Sequence, residues 1–494
     1  MKKNFKLFKI GIFLALILGF ALGQDAYGAA VSWTGAGGDN LWSTDANWSD
    51  GTTPDATDDA TIGAGISVVL DENGTVLSLT LGAGATLTDD GNTWALQVYN
   101  NIDLSAAGAS LTDTGTLNLT SGFATGAQTP VITVASTSTL AVDAFVIDAA
   151  AANASTVTLD GNMLVSSLAI DAAGTFNAVN GDADTLTVLG NITMSAATAT
   201  VGLVTPPSLV IGDATLATST TSTMTTAADA DMAWADVTLY NAAVSLVAAV
   251  ADDDMTIKDD LTLAGASTIT DGGNDVRLVM DGAATQTITV SDDSYLGLSD
   301  LFIDGAATVV TTADDLTIEE LDLNNGAFTQ TTGTTYITAA PVYTAGTCTF
   351  NNLSVNTGVG NITWPLPMTI TGDFTVFGGS NLLVDQVLTT IDNSTAKEFV
   401  FSGGTITFDD LTLAADSRIT TNSSFSLGDG TGTGTFTISS GASFNAGTGT
   451  ITADLTAANY TLTNSGGVDT CLTIANLATT GGGNTLTTAT DLVV

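Results

Sequence analysis

One short pattern keeps returning along this chain. It runs apolar residue, any residue, Asn or Asp (or a close substitute), Leu or Val, any residue, then a β-branched or aliphatic residue. It stands as WADVTL at Trp234, LSDLFI at Leu298, FNNLSV at Phe350, FDDLTL at Phe408 and IANLAT at Ile474, with looser copies VLSLTL at Val76 and VSSLAI at Val165. Apolar and polar positions alternate with a period of two, as in strands with one buried face. A second alternating element follows at a nearly constant distance: 21 residues from Trp234 to Met255, 18 from Leu298 to Leu316, 18 from Phe350 to Met368, 21 from Val165 to Leu186 and 20 from Val76 to Leu96. Three strands of about five residues plus their corners occupy roughly 18 to 22 residues, so the offset is one turn of a coil. The expected fold is all-β: a right-handed parallel β-helix (β-solenoid). From Val165 to Ile474 the pattern recurs after 69, 64, 52, 58 and 66 residues, which reads as irregular repeats of about 60 residues, each holding about three turns. A string of β-sandwich domains is the rival, but each would need about 100 residues.

Composition narrows the function classes. Length alone, 494 residues, suggests about three domains, and the internal repeat overrides that estimate. Apolar residues make up 44%, too many for a disordered chain. Eight basic residues stand against 51 acidic ones, and all but Glu72, Glu319, Glu320 and Glu398 of the latter are aspartates, a turn-forming residue. The net charge of −43 repels nucleic acid and anionic membranes, so no nucleic-acid partner is expected. Half of the basic residues, Lys2, Lys3, Lys6 and Lys9, precede an apolar run over residues 10–22. That layout is a secretory signal peptide, assigned to residues 1–30, with cleavage after Gly23, Gly28 or Ala30 left open. The run is shorter than the ~20 residues a spanning helix needs, and no transmembrane segment is expected in the mature chain. Residues 31–75 form a Trp-rich N-terminal cap and 76–494 the solenoid repeats.

Trp33, Trp42 and Trp48 crowd into WTGAGGDNLWSTDANW. Such rings either close the open end of a core or form a platform for sugars; capping is the expected role, because the first turn of a solenoid exposes an unpaired edge and an apolar interior. Trp94, Trp234 and Trp364 lie within the repeats and are expected in the core. The chain has no histidine, which excludes Ser-His-Asp and Cys-His catalysis and His-ligated zinc. Paired carboxylates remain as the available catalytic chemistry. The candidates are Asp58-Asp59, Asp259-Asp260, Asp292-Asp293, Asp314-Asp315 and Asp409-Asp410. Their recurrence at turns reads as scaffold, so no catalytic or cofactor-binding residue is assigned, and the metal ligands stay unassigned. DGGNDVRLV at Asp271 has the core of one calcium-binding nonapeptide but occurs once, and GDGTGTGTF from Gly428 lacks the ending of a phosphate loop. Cys348 and Cys471 precede two anchors by two and three residues, at matching places several turns apart, and are expected to stay unpaired.

The opening WTGAGGDNLWSTDANWSDGTTPDATDDATI, with its W-x-G, NW, G-x-x-P and D-x-A steps, resembles the start of the passenger regions of bacterial autotransporters and related β-strand-repeat surface proteins. The FNNLSV and DLTIEELDL repeats are similar to the body of such proteins. The resemblance implies a parallel β-helix and an extracellular or cell-surface location. An autotransporter's outer-membrane barrel does not lie within these residues. The last segment, TTATDLVV, matches TTADDLTI around Leu316 and places Leu492 at the start of a second element, so the sequence is expected to be the N-terminal part of a longer protein.

The expected function is a non-enzymatic secreted or cell-surface structural or adhesive protein with a stiff solenoid, whose partner is a surface polymer, polysaccharide or receptor. The alternative is a protein that binds polysaccharide or cleaves it with carboxylates. No cofactor is expected beyond Ca²⁺, which prefers carboxylate oxygens and relieves repulsion between aspartates on stacked turns. Millimolar Ca²⁺ should therefore raise the melting temperature in differential scanning calorimetry, and a curve unchanged by chelator would reject that effect.

Overall fold

The computed structural model describes residues 29–121 without a break and residues 129–488 apart from short stretches. Residues 1–28 of the expected signal peptide and the final element at Leu492 lie outside the described residues, whereas Ala29 and Ala30 begin a strand. Two compact units divide between Met163 and Leu164.

In the first unit each strand pairs in parallel with the strand one turn later, so each turn gives one strand to each of three sheets. The first turn is Asp58–Ile62, Ser67–Leu70 and Gly74–Val76. The coil therefore begins ahead of the expected boundary at residue 76, because these three short strands already find parallel partners in the next turn. Alternation turns every second residue inward, and parallel register stacks those residues in columns. One column is Val31, Ala60, Leu79, Ile102, Ile132 and Leu159, another Val68, Leu87, Leu111 and Leu140, and all ten are buried. Burying each larger aliphatic side chain contributes about 1.5–3 kcal/mol. One corner stacks in the same way. Gly65, Gly84 and Gly108 have φ of 69°, 66° and 72°, in the left-handed region that favours glycine, and Gly65 and Gly84 donate their amides to the carbonyls of Ala83 and Ala107 one turn on.

The second unit repeats the scheme. Leu186, Leu209, Val237, Leu261 and Ile288 form an inward column of its first sheet. Further along that sheet Phe328, Cys348 and Met368 stack inward. A threonine occupies one register position in nine successive turns, from Thr287 and Thr311 to Thr437 and Thr463. Aromatic rings meet inside the later turns: Phe350 lies 5.7 Å from Trp364, and Phe436 5.3 Å from Phe444.

The offset between anchor and second element is one turn, as expected: Trp234 pairs with Ile257, Leu298 with Ile318, Phe350 with Ile370 and, in the first unit, Val76 with Val98. The anchors themselves are corners, and they occur at all three. Trp234 and Val237 bracket the passage from third sheet to first, Leu298 and Leu301 from second to third, Phe350 and Leu353 from first to second. A spacing near 60 residues therefore marks no fixed unit; the structural period is the turn. The cysteines part company for the same reason, since Cys348 is buried in the first sheet whereas Cys471–Thr473 belongs to the second.

At the start of the chain the three indoles turn inward, with Trp33, Trp42 and Trp48 only 8%, 0% and 2% exposed. Their rings meet edge to face, Trp33 to Trp48 at 5.1 Å and Trp42 to Trp48 at 4.8 Å, and Trp48 Nε1 donates to the Trp42 carbonyl at 2.9 Å. Ala29–Ser32 pairs with Asp58–Ile62, while Trp42 N–H and Val69 N–H bond the carbonyls of Val69 and Asn40. Two sheet edges of the first turn are thus occupied by backbone partners. Buried rings leave no platform for a sugar, so capping is the geometry found. Trp234 and Trp364 are fully buried as expected, whereas Trp94, near the start of the strand Thr93–Val98, is half-buried and donates its Nε1–H to Asp90 at 2.7 Å. Replacing Trp48 by Ala removes the ring shared by the other two and should cost about 3–5 kcal/mol locally. The Val69 amide should then exchange on the order of 100-fold faster in hydrogen-exchange measurements, with the amides of distant turns unchanged.

Candidate functional site

The five aspartate pairs all sit at corners or strand starts, where the side chains of one turn can reach the backbone of the next. Asp58 is buried and its carboxylate accepts the Asp55 amide at 2.8 Å. Asp260 accepts the Thr287 amide and Asp410 the Thr435 amide, each at 2.6 Å. These three pairs are scattered. The other two come together, because the corner between first and second sheets carries Asp292-Asp293 in one turn and Asp314-Asp315 in the next.

Between those corners lies a cavity of about 480 Å³ lined by Ser291, Asp292, Tyr295, Asp314, Asp315, Thr317 and Tyr336 among others. Tyr295 and Tyr336 are 45% and 40% exposed, and they are the exposed aromatic residues among the described side chains. Gly297, Thr317 and Tyr336 stand in register on three consecutive turns. The Tyr295 ring bends over Gly297: a β-carbon there would lie 2.5 Å from ring atom Cε1. Gly297 thus leaves room for the ring in this position. Strands lie about 4.8 Å apart, so the two tyrosines are separated by roughly 10 Å with Thr317 as the floor between them.

The carboxylates at the rim are held in place. Asp314 Oδ2 accepts the Val290 amide at 2.7 Å, and its backbone carbonyl accepts Gln330 Nε2 at 2.8 Å. Asp315 Oδ1 accepts the Thr334 amide at 2.6 Å. Among the described residues the second oxygen of each has no protein donor. The described basic side chains are engaged elsewhere, Lys258 with Asp281 at 2.6 Å and Arg277 with Asp254 at 2.7 Å. A second cavity of about 220 Å³ lies on the far side of Tyr336, lined by Thr334, Asn352, Ser354, Asp373 and Thr375. Sequence reading singled out the two aspartate pairs but missed both tyrosines; an aromatic on the polar phase of a strand was the available signal.

In the first unit a different carboxyl cluster forms at Asp89, Asp113 and Asp143. Burial first, then the charge of Asp143 and a hydrogen bond with it, hold the Asp113 carboxyl above its ordinary value. Burial acts on Asp89 in the same sense but is outweighed by the Thr114 hydroxyl and the amides of Thr114, Gly115 and Gly91, so its carboxyl lies below the usual value. No group of three or more His, Cys, Asp or Glu among the described residues is arranged to hold a metal ion. DGGNDVRLV is cut by residues outside the description, but Asp271 ends a strand whose neighbour in the next turn supplies Ser299 to its carboxylate, a corner contact rather than a nonapeptide array. No helix among the described residues is long and apolar enough to cross a membrane.

No protein-family model matches the chain, and neither a curated protein nor a solved structure is significantly similar to it.

The carboxyl cluster makes a prediction whose sign is fixed. Folded Asp113 keeps its proton to higher pH than it does unfolded, so its contribution to stability falls as pH rises from 3.8 through its raised value. Asp89 contributes in the opposite sense, and its share is lost only as pH falls from 3.8 through its lowered value. Asp113→Asn should therefore raise the melting temperature at neutral pH, and its advantage over the wild type should vanish as pH approaches 3.8. An advantage that persists unchanged to acid would contradict this.

Proposed function

We propose that this protein is a non-enzymatic structural or adhesive protein of the cell exterior. The observation that carries this reading is where the carboxylates are used. Asp89 accepts the amides of Thr114 and Gly115, Asp236 that of Asp260, Asp260 that of Thr287, Asp315 that of Thr334 and Asp410 that of Thr435. Each joins one turn to the next, so the abundant aspartate serves repeatedly as a turn-to-turn fastener. A charge-assisted bond of this kind contributes about 1.5–3 kcal/mol where it is shielded from water and less at the surface. The basic and apolar start of the chain supports export, and the large negative charge supports solubility outside the cell.

A second reading is favoured by the cavity between Tyr295 and Tyr336: the same scaffold binds a polysaccharide. Both readings are open to experiment. Mild protease treatment of intact native cells should remove the protein while sparing cytoplasmic markers, and protection until lysis would refute an exterior location. Incubation of the purified protein with a polysaccharide panel should leave chain lengths unchanged. Shortening that is abolished by Asp314→Asn or Asp315→Asn would replace the structural reading with a hydrolytic one.

A further inference from the structure

We infer that the cavity between Tyr295 and Tyr336 is a binding site for a polysaccharide of amino sugars bearing free ammonium groups. The inference deepens the polysaccharide-binding reading by naming the site and the chemical class of its ligand.

The first ground is where the aromatic rings are. Most of the large rings described in this chain are buried and a few are half-buried, yet two tyrosines stand exposed, and both line the same cavity of about 480 Å³. An exposed ring with its polar tip in water offers an apolar face to the carbon-bound hydrogens of a sugar, or to a cation. The missing side chain of Gly297 lets the Tyr295 ring lie across the strand. Tyr336 stands two turns further along.

The second ground is continuity. Tyr336 and Thr334 also line the cavity of about 220 Å³ on the next turns, so the two hollows lie end to end along one column: Gly297, Thr317, Tyr336, Ser354 and Thr375. The column advances about 4.8 Å per turn, close to the advance of one ring in an extended glycan chain. A linear polymer lying along it places successive rings on either side of Tyr336, with Thr317 lining the one hollow and Thr375 the other.

The third ground is charge. Asp292, Asp314 and Asp315 line the larger cavity and Asp373 the smaller, and among the described residues no lysine or arginine lines either. One oxygen of Asp314 and one of Asp315 are held by backbone amides, which aims the carboxylates before any ligand arrives. A uronic or sulfated polymer meets repulsion here, whereas an ammonium group meets fixed carboxylates and the face of a tyrosine. An amino-sugar chain therefore complements rings, hydroxyls and charge together.

The test is isothermal titration of the purified chain with a chitosan oligosaccharide, its N-acetylated counterpart, a cello-oligosaccharide and oligolysine, at mildly acidic pH where the sugar amines are charged. The chitosan oligosaccharide should bind best and should weaken steeply with added salt. Tyr336→Ala, an exposed position, should weaken it by about tenfold or more, as should the pair Asp314→Asn and Asp315→Asn, which keeps one acceptor oxygen on each side chain and removes the charge. Circular dichroism of the variants verifies the fold. Equal binding of the neutral sugars, unchanged affinity in Tyr336→Ala, tighter binding of oligolysine, or no sugar binding would each overturn the proposal. None of these outcomes bears on whether the protein lies outside the cell, which the protease experiment decides separately.

Discussion

The parallel hydrogen-bond ladder between one turn and the next is the interaction on which everything else depends. A strand of four or five residues has no stability alone, and its amides and carbonyls find partners only in the turns before and after it. Once turns are in register, identical side-chain positions fall on top of each other, and apolar columns such as Val31 to Leu159 form from contacts between adjacent turns alone. The same ladder lines up the intervening residues, which is why one threonine position persists through nine turns. β-branched residues suit a pleated, half-buried surface, and nothing in the ladder selects against repeating them.

A ladder of this kind leaves an open edge and an open core at its first turn. The chain meets both with one short segment. Its backbone joins Ser67–Leu70 through Asn40 and Trp42, and its three indoles fill the end of the interior. The arrangement has a local cost, because Trp42 Nε1 is buried without an acceptor among the described residues. Ring area outweighs it: burial of an indole contributes several kcal/mol, against about 1–3 kcal/mol for an unsatisfied donor.

The corners supply variety, and with it chemistry. Strand positions are constrained by pairing on both sides, whereas a corner needs only to return the chain to the next sheet. The corner of Ser291–Ser294 is longer than that of Ala313–Asp315 in the next turn, and the cavity beneath Tyr295 lies between the two. Aspartates suit these places because a short carboxylate reaches the amides of the adjacent turn.

Read by itself, the sequence determined the all-β class, the parallel stacking and the turn length, because period-two alternation and a recurring offset are local properties that stacking leaves unchanged. Trp33, Trp42 and Trp48 were legible as a cap for the same reason: their position at one end of a repetitive chain admits few other roles. Which corner each anchor occupies was not legible, since a motif such as FNNLSV or WADVTL suits every corner equally. Nor was the meeting of Asp292, Tyr295, Asp314, Asp315 and Tyr336. That depends on the register between turns of unequal length, and only the paired backbone decides how many residues each corner takes up and therefore which side chains stand one strand apart.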